Sequence, residues 1–259
     1  MDREIKGLLI DLDGVLYVGG SAIDGAKEAL EALQEKGIAC RFVTNTTTKT
    51  AGEVVEKLHG LGFEVDADQV FSAVSATRQL LLGAEGESIR VHLIVRDSIL
   101  SEFEEFFPWD GEDPDYVVVG DIGAKWSYPL MDRAFRELMS GAELIAMHKN
   151  RYFEAEEGLR LDIGCFVSGL EFATGHSAKV VGKPSPDFFR LGLESLGLPP
   201  ENVAMIGDDI DSDVGGGQAI GLAGILVRTG KFREAHANES EVSPDAVLDS
   251  IADLPALLG

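Results

Sequence analysis

The sequence predicts an α/β fold: a doubly wound, Rossmann-like parallel sheet with an inserted α/β second domain. Three observations carry this. Leu8-Leu9-Ile10 is the heart of a short apolar run over 5–10, with the length and composition of a strand buried on both faces. Strand-like and helix-like segments then alternate along the chain, the pattern of a parallel sheet. Val203-Ala204-Met205-Ile206 is a second buried-strand run, and both runs end in acids: Asp11-Leu12-Asp13 and Asp208-Asp209-Ile210-Asp211-Ser212-Asp213. Carboxylates at the carboxyl ends of such strands lie where open α/β sheets place their chemistry.

The elements are justified in order. After Asp13, Gly14 to Gly20 is glycine-rich and reads as a turn or flap. A helix over 25–36 places Ala26, Ala29, Leu30 and Leu33 on one face and stops at Gly37. A strand over 38–43 ends in Thr44-Asn45-Thr46-Thr47-Thr48, followed by a helix over 51–61, a short strand at 70–71 and a helix over 75–82. Gly83 to Ser88 breaks the pattern and predicts a hinge. Strands follow at 91–95 and 116–119, with an acidic helix over 98–107 between them. From Glu102 to Asp115 there are seven acids and no base, read as a solvated face and loop rather than a metal site. A helix over 129–139, a strand over 144–147, the basic loop His148-Lys149-Asn150-Arg151-Tyr152 and a helix over 164–174 complete the insertion. Val180-Val181 leads into Gly182-Lys183-Pro184, a helix over 187–196, the strand at 203–206, a glycine-rich helix start, a strand over 223–227 and a closing strand and helix in 245–259.

With 259 residues, 45% of them apolar, the chain can bury a substantial core. No long uncharged apolar stretch follows Met1-Asp2-Arg3-Glu4, so neither a signal peptide nor a membrane span is expected and a cytoplasmic protein is the default. Cys40 and Cys165 have no metal-ligand spacing and read as free thiols in a reducing compartment. Net charge is −23, from 45 acids against 22 bases, which argues against nucleic acid or an anionic membrane as partner. A phosphate substrate would need positive charge supplied locally.

If the two acid-tipped strands are neighbours, Asp11, Asp13 and Asp208 meet at one sheet edge. Carboxylates within about 4–6 Å of one another either take up protons or enclose a cation. Oxygen donors without nearby His or Cys favour Mg²⁺, and a site holding a dication can accept a phosphate. Two other readings of the second acidic segment fail on spacing. Asp209-x-Asp211-x-Asp213 begins like a calcium loop but continues with Val214 where the turn needs glycine. Gly215-Gly216-Gly217 lacks the further glycine of a dinucleotide fingerprint, Ile220 standing there. Lys183 is either a surface lysine in a proline-rich turn or a phosphate-facing cation. Thr44 and Asn45 are either a helix-cap cluster or uncharged phosphate contacts at the same edge. The basic loop His148–Tyr152 either reaches a substrate or is a solvated turn.

Asp11-Leu12-Asp13-Gly14-Val15, Thr44-Asn45, Gly182-Lys183-Pro184 and Gly207-Asp208-Asp209 with Asp213 resemble, in order, the four motifs of the haloacid dehalogenase (HAD) superfamily. The insertion between the second and third resembles the C2-type cap of the NagD-like subclass. The resemblance implies a HAD catalytic core over 1–80 and 180–259, with a cap that sets substrate specificity over 81–179. It implies a Mg²⁺-dependent phosphatase acting on a small phosphorylated molecule through an aspartyl-phosphate; phosphoramidate or pyrophosphate activity belongs to the same expectation. Asp11 would be nucleophile and metal ligand, Asp13 the general acid and base and a ligand through its backbone carbonyl, and Asp208 the third protein ligand. Asp209 and Asp213 would hold metal-bound waters, and Thr44, Asn45 and Lys183 would bind the phosphoryl group. Many relatives carry Asn where Asp209 stands. A homodimer through the cap is a further expectation. The competing function is a catalytically silent phosphate- and metal-binding sensor or scaffold, for which a general acid such as Asp13 would have no use.

Overall fold

The computed structural model describes residues 3–84, 89–106, 111, 113–155 and 158–259. In chain order the strands are β1 (Gly7–Asp11), β2 (Tyr17–Val18), β3 (Ser21–Ala22), β4 (Ala39–Thr44), β5 (Val70–Ser72), β6 (Val91–Ile94), β7 (Tyr116–Val119), β8 (Glu143–Ala146), β9 (Tyr152–Ala155), β10 (Gly158–Leu161), β11 (Lys179–Val180), β12 (Val203–Gly207), β13 (Ala223–Val227) and β14 (Ala246–Leu248). The helices are α1 (Ala26–Glu35), α2 (Ala51–Gly60), α3 (Ala73–Leu82), α4 (Tyr128–Met139), α5 (Gly164–Thr174), α6 (Pro186–Leu196), α7 (Gly216–Gln218), α8 (Glu234–Glu239) and α9 (Leu254–Leu257). The chain divides into two compact units, one of 1–44, 51–71 and 183–259, the other of 45–50 and 72–182. The partition expected from sequence groups 45–50, 72–80 and 180–182 with the first.

The first unit is built on a six-stranded sheet in the order β14-β13-β12-β1-β4-β5. The pairings from β14 through β4 are parallel. From β1 the chain moves outward through β4 and β5, then returns to β12 on the other side of β1 and moves outward again. The carboxyl ends of β1 and β12 therefore flank the point where the winding reverses, where such sheets form their ligand crevice. Leu8, Leu9 and Ile10 are each wholly buried because β1 is covered on both faces. Leu8 and Ile10 face a core with Ala26, Leu33 and Leu58 of α1 and α2. Leu9 faces the other way, onto α6, where the backbone at Gly192 approaches so closely that an added Cβ would lie 3.0 Å from Leu9 Cδ2.

Helix α1 buries Ala26, Ala29 and Leu33, the spacing of one helical face. Its end is set by Gly37 at φ 73°. Gly37 N–H donates to Gln34 O and Ile38 N–H to Leu33 O at 2.9 and 3.0 Å, a Schellman closure that turns the chain into β4. The glycine-rich flap forms the two-residue hairpin strands β2 and β3.

The second unit has a four-stranded sheet, β11-β8-β7-β6, with parallel pairings throughout. Val117, Val119, Leu144 and Ala146 pack with Ala134 and Leu138 of α4 and Val167 and Leu170 of α5. The acidic helix expected over 98–107 is instead a set of 3₁₀ turns over Asp97–Phe106, broken at Phe103 (φ −123°, ψ 21°). Ile99, Phe103 and Phe106 are buried there, so anchoring the apolar side chains wins over helical continuity in a segment crowded with acids. The antiparallel pair β9 and β10 was not anticipated, and Tyr152, assigned to the basic loop, opens it. Its exposed Tyr152 and Leu161 leave no one-sided apolar pattern to read. Helix α8 was also unanticipated; it buries no residue, so it carries no apolar stripe. Most of the expected hinge (85–88) and part of the acidic run (107–110 and 112) lie outside the described residues. Among the described residues, no helix is long and apolar enough to cross a membrane.

Leu9→Ala should test the two-sided burial of β1. Opening a cavity between the sheet and α6 is expected to cost about 2–5 kcal/mol, seen as a lower midpoint in urea unfolding of the full chain.

Candidate active site

The parallel register fixes the positions of the acids. Ile10 pairs with Ile206 and Asp11 with Val43, so Asp11 ends β1 beside the last residues of β12 and β4. Asp208 follows β12, and Thr44 is the last residue of β4. All three side chains are buried. Asp208 and Asp209 lead into a wide turn over Ile210–Gly215 that brings Asp213 back to the strand end. Asp209 N–H donates to Asp213 Oδ2 at 3.1 Å. Asp209 itself caps the turn, its Oδ1 accepting from Asp211 N–H at 3.2 Å and Ser212 N–H at 2.9 Å.

Among the described residues, Asp11, Asp208 and Asp213 form a buried group in which a carboxylate oxygen of each lies within 4.8 Å of the others. Lys183 enters this group from the loop ahead of α6. Its Nζ lies 2.6 Å from Asp11 Oδ1 and 2.7 Å from Asp213 Oδ1, and its side chain is 4% exposed. Burial opposes a charged lysine, yet the two carboxylates outweigh it and hold the ammonium's pKa above its ordinary value. Burial raises the carboxyl pKa values of Asp208 and Asp213, and the charge of Asp11 adds to both shifts.

Asp208 is held from a third element, the loop after β13. Lys231 N–H donates to Asp208 Oδ2 at 2.6 Å, and the Thr229 hydroxyl donates to the carbonyl of Gly14. The two glycines of this clamp are required by contact. A Cβ on Gly14 (φ +88°) would lie 1.9 Å from Asp208 Oδ2, and one on Gly230 (φ +59°) 2.1 Å from the same atom and 2.4 Å from Gly14 Cα. The glycine after Asp13 is thus the residue that lets Asp208 reach the end of β1.

Asp13 stands apart from the buried group. Its side chain is exposed, and its Oδ2 accepts a hydrogen bond from the Tyr17 hydroxyl at 3.1 Å. Protein packed around the carboxyl raises its pKa; Lys57 opposes the rise and the charge of Asp11 adds to it. The convergent side chains are therefore Asp11, Asp208 and Asp213, where sequence reasoning had grouped Asp11, Asp13 and Asp208. Asn45, the residue after Thr44, is half-buried and falls in the second unit. In the basic loop, His148 is buried and lies 3.7 Å from Asp162, and Lys149 pairs with Glu171. Sequence reasoning missed the Thr229-Gly230-Lys231 loop and the pairing of Tyr17 with Asp13. The position of the loop after a buried strand next to β12 was the available signal.

The donor set suits a hard dication. Among the described residues Asp208 Oδ1 is buried without a hydrogen-bond partner, three carboxylates face one ammonium, and every donor is oxygen.

Comparison with known proteins agrees with this geometry. A family described as haloacid dehalogenase-like hydrolase matches residues 8–106, and a HAD-hydrolase-like family matches 180–254. The first span contains Asp11, and the second contains Lys183, Asp208 and Asp213. The chain belongs to the haloacid dehalogenase-like hydrolase family. It is 41% identical over 246 residues to human haloacid dehalogenase-like hydrolase domain-containing protein 2, covering 95% of this chain and 92% of that one. It is 40% identical over 260 residues to the phospholysine phosphohistidine inorganic pyrophosphate phosphatase of Rattus norvegicus, covering 98% and 94%. The solved 4-nitrophenylphosphatase of Thermotoga maritima superposes with a TM-score of 0.91 at 30% identity, over 99% of this chain and 98% of that one. Residues 107–179, between the two matched spans, fall in the second compact unit.

The raised pKa values of Asp208 and Asp213 set a sign for stability. A carboxyl whose folded pKa exceeds its unfolded value of about 4 stabilises the fold fully below that value, and the contribution is lost as pH rises towards the folded pKa. The melting temperature of metal-stripped protein should therefore fall between about pH 5 and about pH 8, and less steeply in Asp208→Asn. Added Mg²⁺ should raise the wild-type melting temperature more at the higher pH. Parallel melting curves for wild type and variant check both.

Proposed function

We propose that this HAD-like hydrolase is a Mg²⁺-dependent phosphohydrolase that works through a phosphorylated Asp11. The observation that carries the reading is the buried Asp11–Lys183–Asp213 ion-pair network beside Asp208, at the point where the sheet's winding reverses. Structural ion pairs are usually placed where they cost less than this, and a lysine enclosed by carboxylates at a strand edge is an arrangement that function explains.

In the first step an oxygen of Asp11 attacks the phosphorus while the bond from phosphorus to the leaving oxygen breaks. Asp13 gives its proton to that oxygen. In the second step water attacks the phosphorus of the phosphoaspartate, Asp13 takes the water's proton, and phosphate leaves with Asp11 restored. One group serves as acid and then as base, and a carboxylate nucleophile splits one hard displacement into two easier ones. The raised pKa of Asp13 suits a group that must carry a proton when the first step begins. Lys183 offsets charge on the transferring phosphoryl group. Thr44, and Asn45 after it in the chain, supply uncharged contacts to its oxygens.

Asp11, the backbone carbonyl of Asp13 and Asp208 would hold the Mg²⁺, with Asp209 and Asp213 supporting its waters. When bound, the ion supplies Lewis-acid stabilisation of the phosphoryl oxygens. A silent phosphate-binding protein is the weaker reading, because Asp13 would then have no work and the named relatives include phosphatases.

Asp11→Asn should lower kcat on p-nitrophenyl phosphate by more than about a thousandfold while leaving the fold intact by circular dichroism. Acid-quenched wild type should yield a phosphoryl adduct on the peptide containing Asp11, and EDTA should abolish turnover. Equal turnover by the variant overturns the assignment of the nucleophile.

A further inference from the structure

Asp13 depends on a neighbour that the reaction as described does not use. Its side chain is exposed, and among the described residues its carboxylate makes one hydrogen bond, from the Tyr17 hydroxyl to Oδ2 at 3.1 Å. Tyr17 is itself immobilised. Its side chain belongs to the main core of the first unit and is 4% exposed. Its carbonyl accepts from Gly14 N–H at 2.7 Å, and Asp13 and Tyr17 form an isolated β-bridge. Lys57, from α2, places Nζ 3.6 Å from the centroid of the Tyr17 ring, a cation–π contact that helps to hold the ring.

We propose that Tyr17 is a positioning residue for Asp13, with Lys57 holding its ring. The inference rests on the phosphohydrolase reading above. A general acid must be held close to its productive geometry to be effective, and a carboxyl can turn about its last bond unless a partner fixes one of its oxygens. The hydroxyl of Tyr17 pins Oδ2 and so leaves Oδ1 to carry the proton towards the leaving oxygen. A tyrosine hydroxyl titrates only at about pH 10, so Tyr17 remains a donor throughout the pH range in which a phosphatase works. A residue needed only for packing would use its ring and have no need of its hydroxyl.

Tyr17→Phe separates the two roles, because it keeps the ring and the contact with Lys57 and removes only the donor. The experiment measures kcat/KM, which ends with leaving-group departure, for p-nitrophenyl phosphate and for an alkyl phosphate, in wild type and variant with Mg²⁺. The p-nitrophenolate ion is stable without a proton, whereas an alkoxide needs one as it departs. Loss of proton-transfer geometry should therefore lower kcat/KM for the alkyl ester about tenfold more than for p-nitrophenyl phosphate, out of the 10²–10⁴ that general acid catalysis supplies. Equal losses on both esters, or no loss on either, overturn the positioning role. A wild type inactive on both esters overturns the hydrolase reading and this inference with it, whereas an active wild type with uniform loss in the variant overturns this inference alone.

Discussion

Burying one lysine among three carboxylates constrains everything around it. Lys183, Asp11, Asp208 and Asp213 are all at most 5% exposed, and each charge removed from water costs several kcal/mol unless it is well paired. The pairing is available only because β1 and β12 are adjacent and parallel, which sets Asp11 and Asp208 side by side, and because the turn after Asp209 returns Asp213 to the strand end. Removing Lys183 from such a group would leave like charges facing one another in a dry site. Breaking a buried pair of this kind costs about 3–5 kcal/mol, so the acids are held together at this edge only with Lys183 among them. The opposing contribution comes from β1 itself, whose three central aliphatics are wholly buried.

The parts of this arrangement that show in the sequence are those written as local patterns. Leu8-Leu9-Ile10 and Val203–Ile206 reveal their strands because two-sided burial leaves them almost purely apolar. Asp11, Asp13, Asp208 and Asp213 are visible as acids at the ends of those runs, and Lys183 as a cation just ahead of a helix. The segments that were not legible lack such patterns. Helix α8 buries nothing, the β9–β10 hairpin exposes Tyr152 and Leu161, and the turns over Asp97–Phe106 follow their buried aromatics rather than a helical period. Within the site, the illegible contacts are carried by the main chain. The N–H of Lys231 and the close approach of Gly230 to Gly14 depend on two loops meeting across more than two hundred residues of chain, as the hydrogen bond from Thr229 to Gly14 shows by a separation of 215. No spacing rule encodes that meeting; only the register of β1, β12 and β13 does.

The same geometry accounts for an acidic protein that handles an anion. The net charge of −23 repels phosphate at a distance, so the site must reverse the field locally. Asp11, Asp208 and Asp213 against Lys183 leave two negative charges if all are ionised, and a bound dication would bring that sum to zero. Lys231 adds a cation at the margin: burial opposes its charge, but Asp11 and Asp208 raise its pKa above the ordinary value. With a dication bound, the site would be neutral or better while the chain as a whole keeps its net charge of −23. Asp208 Oδ1, buried and without a hydrogen-bond partner among the described residues, is the atom through which a cation would complete that balance.

The two acids that begin the first motif illustrate how neighbouring residues of one type are made different. Asp11 is the last residue of a buried strand and is held by Lys183, which presents a fixed carboxylate in line with the strand. Asp13 lies beyond the strand, turns outward, and meets a phenol that is anchored in the core. Leu12 between them is wholly buried and pins the turn, so neither carboxylate can take the other's place. Separated environments for paired titratable groups are how one site accommodates both a nucleophile and a proton carrier. Here the separation comes from a single turn of backbone whose glycine, Gly14, is dictated by Asp208 on a different strand. On the proposed mechanism, the choice of Asp13 as proton carrier would follow from the packing that assembles the carboxylate group, since the turn at Gly14 that admits Asp208 also carries Asp13 out of that group.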